Sequence, residues 1–169
     1  MIAPPTAKLC DKLWDRHSIY PHPNLREENP GMAYRLQYML LADSVQPVQS
    51  GKLNVLGIFD QFYAAEIPTR MPGFVVVALL VAPTEDELGD HNVSLRILRP
   101  NNQPVGETAM RVNMAPQPGS FAITSARLVI GVANLPIREF GRHRLELLVD
   151  DQRVGEHPLV VVQGTLPGG

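Results

Sequence analysis

Gly89-Asp90-His91-Asn92-Val93-Ser94-Leu95-Arg96-Ile97 is followed by a turn and then by Val105-Gly106, and the same pattern returns further along the chain. Gly141-Arg142-His143-Arg144-Leu145-Glu146-Leu147-Leu148-Val149 is followed by a turn and then by Val154-Gly155. In both, a Gly-x-His opening leads into apolar residues at every second position, the period of a strand with one buried face. A polar turn then reverses the chain. Two such hairpins predict an all-β protein, a two-layer antiparallel β-sandwich with either an immunoglobulin-like or a jelly-roll-like connection.

Strand signals fill the chain on both sides of the repeat. Leu36 to Val45 is mostly apolar, the stretch from Gln46 to Gly51 reads as a turn, and Leu53, Val55, Gly57 and Phe59 share one face of a second strand. Phe74 to Ala82 is a run of apolar residues that predicts a strand buried on both faces. Glu85, Asp86 and Glu87 form an acidic loop expected to be solvated. Asn101-Asn102 carries turn chemistry, and Thr108, Met110, Val112 and Met114 alternate with polar or small residues on the return strand. Phe121 to Ile137 predicts one strand or two short ones, with Gly131 at a bulge or bend. Asp150-Asp151 makes a tight hairpin turn, and Val154 to Val162 a last strand that Pro158 confines to an edge or a bulge. About seven to nine short strands with frequent turns fit two packed sheets.

The chain has 169 residues, 44% of them hydrophobic, enough for one domain with an extension and a proper core. Its formal net charge is −2, and Arg96, Arg99, Arg138, Arg142 and Arg144 are scattered among acids. Nucleic-acid binding, which needs clustered cations, is therefore not expected. The single cysteine, Cys10, excludes an internal disulfide framework and suits a reducing compartment. The N-terminus shows no secretion signal, and the run from Phe74 to Pro83 is too short for a membrane helix. A cytoplasmic location without membrane association is the expectation.

Residues 1–33 read as a Pro-rich N-terminal arm, residues 34–162 as the sandwich and residues 163–169 as a flexible tail. The arm holds Pro4, Pro5, Pro21, Pro23 and Pro30. Thr6 could cap a short helix whose stripe is Leu9, Leu13, Trp14 and His17. Such a stripe covers an end of its own domain or docks a partner, and Leu9, Leu13 and Trp14 are the candidate partner contacts. Met32 offers an alternative natural start. The terminal Gly168-Gly169 is similar to a ubiquitin-like conjugation tail, but no β-grasp helix accompanies it.

No constellation of catalytic residues is legible. The chain lacks a Gly-x-Ser-x-Gly elbow, a phosphate loop, a dinucleotide fingerprint and a His-Glu-x-x-His motif. Cys10 has nothing beside it to lower a thiol pKa. Cys10, His17 and His22 lack the paired spacing of a zinc site. His91 and His143, at equivalent places in the repeat, would converge with Asp90 or Glu146 on a divalent ion only if the geometry of neighbouring strands allowed it. Otherwise each is exposed at a strand entrance or bonds a loop carbonyl. No metal, cofactor or catalytic residue is expected.

Leu36-Gln37-Tyr38-Met39-Leu40-Leu41-Ala42-Asp43-Ser44-Val45-Gln46, followed by Gly51-Lys52-Leu53-Asn54-Val55-Leu56-Gly57-Ile58-Phe59-Asp60, resembles the opening of a bacterial family of small uncharacterised domains. That opening is an LLAD…GKLN(I/V)LG hairpin, and the resemblance extends over residues 34–162. It implies a β-sandwich and brings no activity and no site residues. The function expected is a non-catalytic interaction or structural module, with a protein partner or a second copy as ligand. A small-ligand or metal-binding sandwich is the alternative.

Overall fold

The computed structural model describes residues 34–49, 51–82, 88–115 and 124–164; the expected arm and residues 165–169 of the expected tail lie outside the described residues, while Gln163 ends the last strand. Eleven strands follow one another: β1 (Arg35–Pro47), β2 (Leu53–Phe59), β3 (Gln61–Ala64), β4 (Thr69–Met71), β5 (Phe74–Ala82), β6 (Gly89–Leu98), β7 (Pro104–Met114), β8 (Thr124–Val132), β9 (Leu135–Ile137), β10 (Gly141–Val149) and β11 (Gln152–Gln163). One sheet has the order β2-β1-β5-β8 and the other the order β3-β11-β10-β6-β7. The short β4 and β9 form a separate ribbon. All pairings are antiparallel except that of β3 with β11. The expected two-layer β-sandwich is the fold, and no helix occurs among the described residues.

Alternation along the strands supplies the core. Leu41, Val76, Ala78, Leu80, Leu128 and Ile130 come from the four-stranded sheet. Val93, Leu95, Leu145, Leu147, Leu159 and Val161 meet them from the five-stranded sheet. Each of the leucines, valines and isoleucines among them contributes about 1.5–3 kcal/mol by leaving water. Met71, Leu135 and Ile137 of the short ribbon belong to the same core.

The two halves of the repeat, β6–β7 and β10–β11, lie side by side, because β6 pairs with β10. Their shared Val-Gly has two different reasons. Gly106 looks into open space, whereas an added Cβ at Gly155 would run into the side chain of Leu36 on β1. Gly155 is thus a point where the two sheets close on each other. The Asp150-Asp151 turn has φ of 47° and 66°, the doubly left-handed conformation of a tight hairpin. Gly131 corrects one expectation: it pairs with Val75 inside an unbroken register, so no bulge lies there. Pro158 lies opposite Arg144 on β10, while β3 joins the other side of β11 only from Val160 onward. The missing proline N–H is therefore tolerated on a locally open edge.

Candidate functional site

The outer faces of the two sheets differ in chemistry. On the five-stranded sheet, three arginines face three glutamates. Glu146 is 8% exposed, and its Oε1 accepts from Arg144 Nε at 3.2 Å and Arg153 Nη1 at 3.4 Å. Arg153 also meets Glu156 at 3.1 Å, and Arg144 Nη2 donates to Asn102 Oδ1 at 3.0 Å. Arg96 bonds Glu107 across β6 and β7 at 3.3 Å and, with Ser94, holds that carboxyl below its usual range. These three arginines and three glutamates are paired with one another.

The four-stranded sheet has an apolar outer face, and part of it is covered by its own hairpin. Beyond Ala42, β1 has no partner in β5 and continues with β2 alone. The hairpin tip folds back over the sheet, where Arg127 on β8 donates from Nη1 to the Gly51 carbonyl at 2.6 Å. Leu53 and Val55 thereby share a cleft with Tyr38, Leu40 and Val77. Gly57 stands where the hairpin leaves the sheet, with φ of 67°, and the Asp43 carboxylate lies where its Cβ would be.

The other side of β2 pairs with no described strand. Leu53–Phe59 contains neither a charged residue nor proline, and Leu56 and Ile58 are 49% and 61% exposed. Natural sheet edges are usually blunted by charge, proline or brevity. The remaining edges of the two sheets follow that rule: β7 carries Glu107 and Arg111, β8 carries Arg127, and β3 is four residues long. β2 departs from it.

Next to the sheet end of β2 lies a cleft of about 330 Å³ lined by Asp43, Phe59, Gln61, Phe62, Tyr63, Met71, Pro72, Gly73 and Phe74. Met71 and Phe74 form its buried floor. The rings of Phe59 and Phe74 meet edge to face with centroids 5.7 Å apart. Tyr63 donates to Gln61 Oε1 at 3.1 Å. Among the described lining residues Asp43 is the one that is charged; it is exposed at the rim and has no hydrogen bond or ion pair to any described residue.

The sequence candidates are distributed differently. Leu9, Leu13, Trp14, Cys10, His17 and His22 lie outside the described residues, as does the acidic loop of Glu85, Asp86 and Glu87. β6 and β10 are neighbours but antiparallel, so His91 and His143 stand at opposite ends of the pair. Along the strand that is a separation of roughly 25 Å. The two imidazoles therefore do not converge on one ion, and the described residues contain no cluster of three or more potential metal ligands.

Neither histidine is simply exposed. Asp150 Oδ2 accepts from His91 Nδ1–H at 2.6 Å, and His91 Nε2 shares a hydrogen bond of 2.6 Å with the Tyr34 hydroxyl. Asp150 Oδ1 accepts the Asn92 N–H at 2.9 Å, and these bonds hold the Asp150 carboxyl below its usual range, the His91 bond foremost. The relay ties the start of β1 to the β10–β11 turn. His143 is 0% exposed, with Nδ1–H directed at the Gly141 carbonyl at 3.4 Å and Nε2 without a partner among the described residues. Burial pushes its pKa down. The signal for this was present: both histidines are in phase with the inward apolar series that follows them.

Residues 37–162 match a family of unknown function (DUF6941), and the chain belongs to that family. No curated protein matches it. Among solved structures, an immunoglobulin-like protein from Pseudomonas aeruginosa is similar at 18% identity and a TM-score of 0.38, covering 79% of this chain and 100% of that one. An alkylpurine DNA glycosylase from Pseudomonas fluorescens is similar at 10% identity and a TM-score of 0.41, covering 78% of this chain and 31% of the glycosylase. A β-glucosidase from Listeria innocua follows at 11% and 0.40, covering 73% of this chain and 16% of the glucosidase. Likenesses this loose assign neither an activity nor a ligand to this chain. Among the described residues no helix is long and apolar enough to cross a membrane.

Proposed function

We propose that this protein is a non-catalytic interaction module that receives an extended segment of a partner protein along the free edge of β2. The observation that supports this reading is the unguarded edge Leu53–Phe59, with Leu56 and Ile58 turned to solvent on the apolar side of the sandwich. An added strand would satisfy backbone groups that otherwise face water, and Leu56 and Ile58 would supply apolar contacts beside it. The outer face of the other sheet is rich in charged residues and offers no comparable apolar contact. Leu9, Leu13 and Trp14 are a second proposed contact, tested by deleting residues 1–31.

The test is peptide display against the full chain, with counter-selection on Ile58→Lys. The reading expects extended peptides with alternating apolar residues whose binding the lysine removes while the thermal transition is retained. Peptides that bind both proteins equally would count against it. Sedimentation of the wild-type chain and of Ile58→Lys separates partner capture from self-association through the same edge.

A further inference from the structure

We infer that the cleft beside β2 is a binding site for a small organic ammonium compound with an aromatic or branched apolar body. Its volume of about 330 Å³ lies in the range of small-ligand pockets. The lining is aromatic on several sides, with Phe59, Phe62, Tyr63 and Phe74, and aromatic faces attract cations. Among the described lining residues Asp43 supplies the only charge, and no described residue forms an ion pair with it. A carboxylate among aromatic rings selects a cation over a neutral or anionic ligand of the same shape.

The vertical arrangement identifies the type of cation. Asp43 is exposed at the rim, whereas Met71 and Phe74 at the floor are 4% and 3% exposed. A lysine or arginine side chain enters a cleft with its charged end leading and would press that charge against an apolar floor. A free amine can enter the other way round, its apolar body on Met71 and Phe74 and its ammonium beside Asp43. The occupant is therefore a free amphiphilic amine rather than a basic side chain of a protein. Gly57 contributes to the site by leaving the space that the Asp43 carboxylate occupies.

The probe is 2-phenylethylamine, titrated into the full-length, isotope-labelled chain and followed by amide chemical shifts. 2-Phenylethanol and 3-phenylpropanoate serve as neutral and anionic counterparts. Saturable shifts are expected at Phe59, Phe62, Tyr63 and Gly73, with the amine binding about tenfold more tightly than the alcohol and the acid not at all. Asp43→Asn, nearly the same shape, should bring the amine down to the level of the alcohol. Equal affinity for amine and alcohol in the wild-type chain, or shifts spread away from the cleft, would overturn the inference without any variant being needed. An N-acetyl-lysine-amide control that bound as tightly as 2-phenylethylamine would overturn the assignment to free amines.

Discussion

The carboxylate of Asp43 occupies the space in which a side chain at Gly57 would begin. Gly57 also has φ of 67°, in the left-handed region. One residue thus answers two demands where the β1–β2 hairpin leaves the sheet and folds over it. Gly57→Ala should destabilise the domain by about 2–4 kcal/mol through clash and backbone strain together. In urea unfolding, the added Asp43→Ala should recover the part due to the carboxylate and leave about 1–2 kcal/mol of strain. Full additivity of the two substitutions would contradict the contact.

His91 and Asp150 predict a pH dependence with a definite sign. The folded-state pKa of Asp150 is lowered, so the unfolded chain binds the proton more readily. The bond contributes stability above the ordinary aspartate range and loses it as pH falls below about 4. A carbon-detected titration should give Asp150 a midpoint below that of ordinary aspartates, and His91→Gln should move it back up. Because Asp150 is half exposed, the stability change should be small and weakened by salt.

His143 predicts a second window. Burial lowers its pKa, so the unfolded state takes up the proton first, and stability falls as pH drops below about 6.5 toward the lowered value. His143→Leu removes a buried nitrogen that has no partner among the described residues, together with the long 3.4 Å contact of Nδ1 with the Gly141 carbonyl. Thermal unfolding of that variant should be unchanged or raised at pH 7, and its stability between pH 5 and 7 should be flatter than in the wild-type chain. A large loss at pH 7 would contradict this expectation.

Glu146 is the most enclosed carboxylate of the outer charge ladder, held by Arg144 and Arg153. Glu146→Ala should cost about 1–3 kcal/mol in chemical unfolding, since it strips two charge-assisted bonds from a nearly buried position. The exposed Glu156→Ala should cost less than about 1 kcal/mol. Equal effects would remove the distinction between the two.

Periodicity made much of this fold legible. The boundaries of β2 and β5 follow directly from apolar runs bounded by turn residues, and the paired Asp turn and the edge position of Pro158 follow from backbone chemistry. β3, β4 and β9, of three or four residues, are too short for any period to show. Their pairing is decided by distant strands, as in the parallel contact of β3 with β11. The candidate site was hidden for a related reason. Asp43, Phe59, Phe62 and Phe74 come from four strands, and only the folded hairpin brings them around one cleft. The two Gly-x-His openings look alike in sequence, yet antiparallel pairing sends their histidines to opposite ends and into different surroundings.

Hydrogen–deuterium exchange over the whole chain, with and without a display-selected peptide, addresses the β2 edge most directly. Strand addition requires amides within residues 53–59 to slow by about tenfold or more, while those of β7 and β8 stay unchanged. Protection confined to another edge, with residues 53–59 exchanging as in the free protein, would contradict it.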